Sequence, residues 1–365
     1  MFVEFMFAWW WLILIEGLVV AGIIGFIALN AHRLVGDTPR SLLALRSSMA
    51  ITGVVTFFSY IALIIGVSKL LEREVGIGGV AESIVIFATI ISAVLIGFQW
   101  LLSPFLINVF YRTRPPETRE ELQLQVELER LAKVSGIKVP KLRISELSMP
   151  NAFAYGSPIA GNYVAVTKGL LRIMPRDEVI AVLGHEVGHL KHRDVAWILA
   201  LSLIPLAIYF IGRMLIWSGL FSGGSRGRGN NGLILIAVGA ALLAASILFR
   251  FLVAHFNRLR EYYADAHSAM TTGNPRALQR ALTRIYLSYK GNQALVEEAK
   301  SNEMAAMLFI VAPLVEVSGG FFYDIDRYVD QLKMEEPSPL EEIFATHPPI
   351  PKRLRFLDSI ALRLQ

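Results

Sequence analysis

The sequence predicts a mainly α-helical integral membrane protein, with about five transmembrane helices and a polar α+β domain that contains a small β-sheet. Three observations point there. Of 365 residues, 54% are hydrophobic and 18% charged, with a mean hydropathy of +0.52, which is more apolar than an average soluble domain. Runs long enough to cross a bilayer, about 20 apolar residues each, recur along the chain. Between them lie polar segments, one of which alternates in the strand pattern.

The first run, Met6 to Leu29, is interrupted by Glu16. It is too long for a signal-peptide core and lacks a positive n-region, so it reads as a retained anchor. Glu16 is an ionisable group within a span, a functional candidate by default, but no partner is identifiable. Gly17, Ala21 and Gly25 recur at every fourth position and permit close helix packing, including between protomers. The second run, Ser47 to Ser68, carries no charge, and the third, Ser83 to Tyr111, holds Pro104 near its end.

From Arg112 to Pro175 the chain is polar. A helix is expected over Glu117 to Ser135, apolar at Leu124, Leu128 and Leu131 and stopped by Gly136. Three strand-like pieces follow, "KLRISEL", "NAFAYG" and "NYVAVT". A fourth span, Val195 to Gly212, leads through the loop "SGLFSGGSRGRGNNG" to a fifth, Leu233 to Phe251, and the two form a helical hairpin. The remainder reads mostly helical, with an amphipathic stretch around Ala294 to Ile310 and a Pro-rich turn at "THPPIP". The organisation is therefore an N-terminal membrane region (1–111), a polar segment (112–194), a membrane hairpin (195–254) and a second polar segment (255–365).

Arg33, Arg40 and Arg46 in the first loop outweigh Asp37, whereas Lys69 and Arg73 in the second face Glu72, Glu74 and Glu82. The first loop is then the cytoplasmic one, which puts both polar segments inside, although Arg213, Arg226 and Arg228 on the outer side run against this. The net charge of +5 does not imply nucleic-acid binding, because the basic residues flank apolar runs instead of forming one stripe. With no cysteine, disulfides, thiolate nucleophiles and Cys-ligated zinc are excluded. Any metal must be held by His, Asp or Glu.

The stretch "VIAVLGHEVGHLKHRD" supplies two of them. His185 and His189 lie one helical turn apart and can point both imidazoles at one ion, with Glu186 beside them. That pattern suits metal-assisted hydrolysis, in which the ion keeps a position for water and lowers its pKa to about 7 while the neighbouring carboxylate accepts the proton. The bland alternative is a surface helix end with two solvated histidines. A third ligand is needed. His192 is seven residues from His185, a rise of about 10 Å on an unbroken helix, too far for one ion, so it is expected to be an exposed polar residue near the membrane interface. The helix carrying His189 is expected to run on into the fourth span. If the fifth span also continues as a helix, Glu261 in "HFNRLREYYADAHSA" rises about 15 Å above Phe251, against about 9 to 15 Å for His189 and His185 above Val195. Glu261 is thus the candidate third ligand. Asp265, one turn further, is the candidate carboxylate that fixes a ligand histidine through its other nitrogen. Two solvated acids on an amphipathic helix remain the alternative.

"LGHEVGHLKHRD" followed by "EYYADAHSA", with "MPNAFAYG" upstream and "THPPIPKRLRFL" near the end, resembles the HtpX-type integral-membrane zinc metalloproteases, whose relatives include the CAAX prenyl proteases. The resemblance covers Arg112 to the C-terminus and the first two spans only in kind. It implies a zincin-like catalytic domain, cytoplasmic, in a multi-pass protein of the cell membrane. It also implies a gluzincin site, with His185, His189 and Glu261 on one zinc ion per chain, Glu186 as catalytic base and Asp265 behind the ligands. Protein or peptide substrates, chiefly membrane proteins, are the implied partners, cleaved in quality control and stress response. That family commonly has four spans, so the additional N-terminal run departs from its pattern.

Within this frame Asn151, Ala152, Phe153 and Ala154 form a candidate edge strand that holds an extended substrate, or simply part of a sheet. Candidates for stabilising a carbonyl oxygen, or for touching substrate, are His347, Arg353, Tyr262 and Tyr263. Arg353 has an alternative use, pairing with a carboxylate to hold the C-terminal segment over the site. Competing functions are a prenyl-protein-type protease with a lipid-linked substrate, a catalytically silent scaffold of the same fold, and a transporter, the last disfavoured by the few polar groups in the central spans. The ligand types favour zinc without excluding cobalt or manganese.

Overall fold

The computed structural model describes residues 42–76, 78–221, 231–290, 324–338, 342, 345 and 347–364. In chain order its elements are α1 (Leu42–Val75), α2 (Gly78–Phe110), β1 (Thr113–Arg114), α3 (Arg119–Ser135), β2 (Lys141–Ser145), β3 (Ala152–Ser157), β4 (Gly161–Thr167), α4 (Lys168–Ile173), α5 (Arg176–Lys191), α6 (Asp194–Phe221), α7 (Asn231–Thr272), α8 (Pro275–Lys290), α9 (Ile325–Lys333) and α10 (Ile350–Leu364). Among the described residues, four helices are long and apolar enough to cross a membrane: α1, α2, α6 and α7. These carry the second to fifth expected runs. The first run with Glu16, the Gly17, Ala21 and Gly25 repeat, the loop at 222–230 and the stretch Ala294 to Ile310 lie outside the described residues.

The chain divides into two compact units. The first, within Ala50–Gly97 and Ile198–His255, packs Leu71, Ala88, Ile208, Ile211, Leu215 and Leu242 into its own core. Elsewhere its apolar side chains face outward: Phe57, Phe58, Ile86, Phe87 and Ile90 are each more than half exposed. In water so much apolar surface is a liability, whereas lipid is its natural solvent. This is a multi-pass membrane protein. The fourth span runs past Gly212 to Phe221, longer than expected, because Gly212 is a packing residue and not a helix end. A Cβ there would stand 2.7 Å from the carbonyl oxygen of Gly239, and one on Gly239 would stand 2.6 Å from that of Gly212, so α6 and α7 meet backbone to backbone.

The second unit includes Phe98–Trp197 and the described chain from Phe256 onward. Among the described residues its sheet is four-stranded in the order β1-β2-β4-β3, with β2 and β4 parallel and the outer pairs antiparallel. β3 is therefore an edge strand. Helix α3 begins at Arg119 instead of Glu117 because Thr118 caps it: its hydroxyl accepts from the N–H of Glu121, whose carboxylate accepts in turn from the N–H of Thr118. Gly136, at φ 66°, ends it in the left-handed conformation. The predicted stripe Leu124, Leu128 and Leu131 joins one core with Ile144, Val164 and Val166 of the sheet, Val182 and Leu183 of α5, and Leu278, Leu282 and Leu354 from the C-terminal helices. That core holds α5 in place.

Candidate metal centre

Helix α5 starts with Asp177 and Glu178 at its positive end. Glu178 is 1% exposed and accepts from Arg284 Nε of α8 at 2.7 Å, which ties the start of the helix to the C-terminal helices. Burial pushes its carboxyl up to about 7 even against the guanidinium beside it. Further along, His185 and His189 face α7 across two glycines. A Cβ on Gly188 would lie 3.1 Å from Ala264 Cα and from His267 Cβ, and one on Gly184 would lie 3.0 Å from Ser268 Oγ. Ser268 Oγ donates to the carbonyl of Ala181 at 2.6 Å across the same contact. The two helices can approach this closely only because the pattern reads GHExGH on one side and Ala264, Ser268 on the other. A bulky residue must force them apart: Gly188→Val is expected to cost about 1–3 kcal/mol by overpacking. It is also expected to lower metal retention, measurable by thermal unfolding in detergent and by metal analysis of the purified variant.

With the helices so placed, His185, His189 and Glu261 each offer a ligand atom, all within 4.8 Å of one another. The two Nε2 atoms are 3.1 Å apart, and Glu261 Oε2 and Oε1 stand 3.5 Å from His185 Nε2 and His189 Nε2 respectively. Ligands about 2 Å from a tetrahedral ion sit ~3.4 Å from each other, so the spacing matches a single zinc-sized ion. Oxygen Oε2 of Glu261 is buried and makes no hydrogen bond of good geometry, the polar groups nearest it standing 3.4 to 3.5 Å away. Two imidazoles and a carboxylate are a fitting donor set for zinc.

Behind the ligands, His185 Nδ1 lies 2.9 Å from Asp265 Oδ1, which leaves Nε2 pointing at the cluster. Asp265 is gripped by Arg353 of α10, Nε to Oδ2 at 2.8 Å and Nη2 to Oδ1 at 2.6 Å. Arg353 Nη1 is also 3.5 Å from Glu261 Oε2, and His347 Nδ1 is 3.4 Å from the same oxygen. His185, Glu186, Glu261, Asp265 and Arg353 are all at most 2% exposed. Burial alone would lower the pKa of His185, but the carboxylates of Asp265 and Glu261 outweigh it and hold the ring up at about 9. Two buried acids stand here against one buried guanidinium, an arrangement that a bound cation would balance.

The structure thus brings His185, His189, Glu261, Asp265, Arg353 and His347 together, with Glu186 buried on the same helix as the two histidines. Other expectations change. Helix α5 does not run on into α6: it ends at Lys191, His192 caps it, and Arg193 takes φ 53° before α6 begins at Asp194. His192 is half-buried instead of exposed, its ring edge-on to Tyr263 with centroids 4.0 Å apart. Arg353, with no exposed surface, pairs with Asp265, the alternative use considered for it, and offers no exposed group for a substrate carbonyl. Tyr262 is buried edge-on against Phe356, and the hydroxyl of Tyr263 accepts from Arg46 Nε, which leaves His347 as the remaining part-exposed candidate of the four, its side chain 14% exposed. Of the strand candidates, Asn151, Ala152 and Phe153 are buried and Ala154 is half-exposed. Sequence reasoning missed the glycine contact and the Glu178–Arg284 tie. The signal for the first was present, small residues spaced four apart on both helices.

The chain belongs to peptidase family M48, whose model matches residues 118–361. It is 55% identical to the Protease HtpX homolog of Aeropyrum pernix over 87% of this chain and 98% of that relative. With the Protease HtpX homolog 2 of Saccharolobus solfataricus it shares 40% identity over 78% of this chain and 87% of the relative. Among solved structures it is similar to the crystal structure of S. mikatae Ste24p, with a TM-score of 0.48 and 16% identity, covering 87% of this chain and 67% of that one. It is an HtpX-type membrane metalloprotease, a hydrolase of peptide bonds.

Proposed function

We propose that the protein is a zinc-dependent endopeptidase that cleaves membrane or misfolded proteins, in the manner of protein quality control, with its catalytic domain on the cytoplasmic side of the cell membrane. The observation that supports the zinc assignment is the cluster in which the two Nε2 atoms stand 3.1 Å apart and each lies 3.5 Å from one oxygen of the Glu261 carboxylate. A zinc ion held by His185, His189 and Glu261 would polarise a peptide carbonyl and make water acidic near neutral pH. Glu186, on the same helix, takes a proton from the attacking water and passes it to the departing amine. Asp265, held by Arg353, keeps His185 in the tautomer that leaves Nε2 free for the ion. His347 is the donor assigned to the carbonyl oxygen, and β3 is the strand against which an extended substrate pairs. Arg112–Asp194 and the chain from about Arg258 supply the two halves of this catalytic domain. The quality-control role rests on the resemblance of the motifs and on the relatives' names as proteases.

Metal analysis and a cleavage assay on the full chain in detergent test this together. About one zinc per chain is expected, with hydrolysis of an unfolded protein substrate lost on chelation and restored by zinc. Cleavage that persists undiminished in metal-free protein would remove the assignment.

A further inference from the structure

We infer that Trp100 sets the end of the substrate register by occupying the last outward carbonyl of the edge strand. The inference rests on the proposed pairing of substrate with β3. In an antiparallel ladder, hydrogen-bonded and non-bonded pairs alternate, and the residues of non-bonded pairs turn their N–H and C=O away from the partner strand. Thr167 donates its N–H to the carbonyl of Asn151, at 3.0 Å, and the register continues Ala152 with Val166 through Gly156 with Asn162. It follows that Phe153, Tyr155 and Ser157 face β4, whereas Ala152, Ala154 and Gly156 turn their backbone groups to the free edge.

That edge is not uniformly open. Trp100 of α2 donates its indole Nε1–H to the carbonyl oxygen of Gly156 at 3.0 Å. Gly156 also has no room for a side chain, since a Cβ there would lie 2.6 Å from the carbonyl of Gly161 and 2.7 Å from Asn162 Oδ1. Ala154 is the one half-exposed residue in the strand. An unpaired edge invites indiscriminate pairing. The indole satisfies the outward carbonyl at one end and leaves Ala154 as the next position able to accept from an incoming chain. An extended substrate therefore pairs up to Ala154 and no further in that direction. Trp100 acts here as a positioning residue and takes no part in the chemistry.

A backbone N-methyl scan of one capped, extended peptide cut at a single bond reads this out, with kcat/KM measured in the parent and in Trp100→Phe. N-methylation is expected to lower kcat/KM about threefold to tenfold at each position whose N–H meets an outward carbonyl of β3. In the parent the sensitive positions alternate and stop at the one opposite Ala154. In Trp100→Phe one more appears, two residues beyond. Should that variant fold poorly, Trp100→Leu, which removes the N–H and the bulk of the indole while keeping an apolar side chain, is expected to behave alike. Identical sensitive sets in parent and variant overturn the role of Trp100 while leaving β3 as the substrate strand. Absence of any alternation in both proteins overturns the strand reading itself, and the inference with it.

Discussion

Replacing Glu186 by glutamine is expected to lower kcat by about 10²- to 10⁴-fold, the usual contribution of a positioned general base, while the purified variant keeps its metal. The two halves of that expectation have separate causes. Glutamine has the shape of glutamate, and Glu186 is 2% exposed on a helix held by a continuous core, so the substitution disturbs neither the packing of α5 nor the three ligand atoms of His185, His189 and Glu261. An amide, however, cannot take up a proton from water or deliver it to a leaving amine. KM should change little, since the loss is confined to the transition state. Single-turnover cleavage, with metal content measured on the same sample, checks both halves. A kcat within roughly threefold of the parent's would show that proton transfer runs through another group.

How far the sequence carries depends on the range of the contact concerned. His185 with His189, and Glu261 with Asp265, are pairs four apart, and helical periodicity alone aligns each pair on a face. The strands were legible for the same local reason, "KLRISEL", "NAFAYG" and "NYVAVT" falling on β2, β3 and β4 with their ends off by one or two residues. So was the stop at Gly136. The break between α5 and α6 was not, because the left-handed residue is Arg193, and neither glycine nor proline marks the spot. Gly212 misled in the opposite sense: it looks like a helix end, and only its approach to Gly239 on another helix explains it. Arg353 kept two possible uses in the sequence because its partner, Asp265, lies 88 residues away, a distance no local pattern spans. His192 reads as exposed because Tyr263 and His267 close on it only after α5 and α7 have packed.

Arg353→Met should destabilise the unit that carries the metal cluster by about 3–5 kcal/mol, the cost of stripping one partner from a buried ion pair. Methionine fills much of the same volume, so the loss is electrostatic and not a cavity. Asp265, fully buried, would lose both guanidinium bonds at 2.8 and 2.6 Å, and Glu261 would lose the charge 3.5 Å from Oε2. Metal affinity should fall as well, by ~10- to 100-fold, since Asp265 no longer holds the far side of His185. The pH dependence has a definite sign. Without metal the ring of His185 is held up at about 9 by Asp265 and Glu261, so metal uptake releases its proton and affinity rises with pH, levelling off above about 9. Arg353 opposes that protonation, so in the variant the levelling point should move upward and the loss of affinity should be greatest at neutral and acidic pH. Chelator competition across pH and thermal unfolding with excess zinc measure the two effects apart. Competition curves that superimpose on the parent's at every pH would mean that Asp265 is held by its own helix, and that Arg353 secures α10 without tuning the metal ligands.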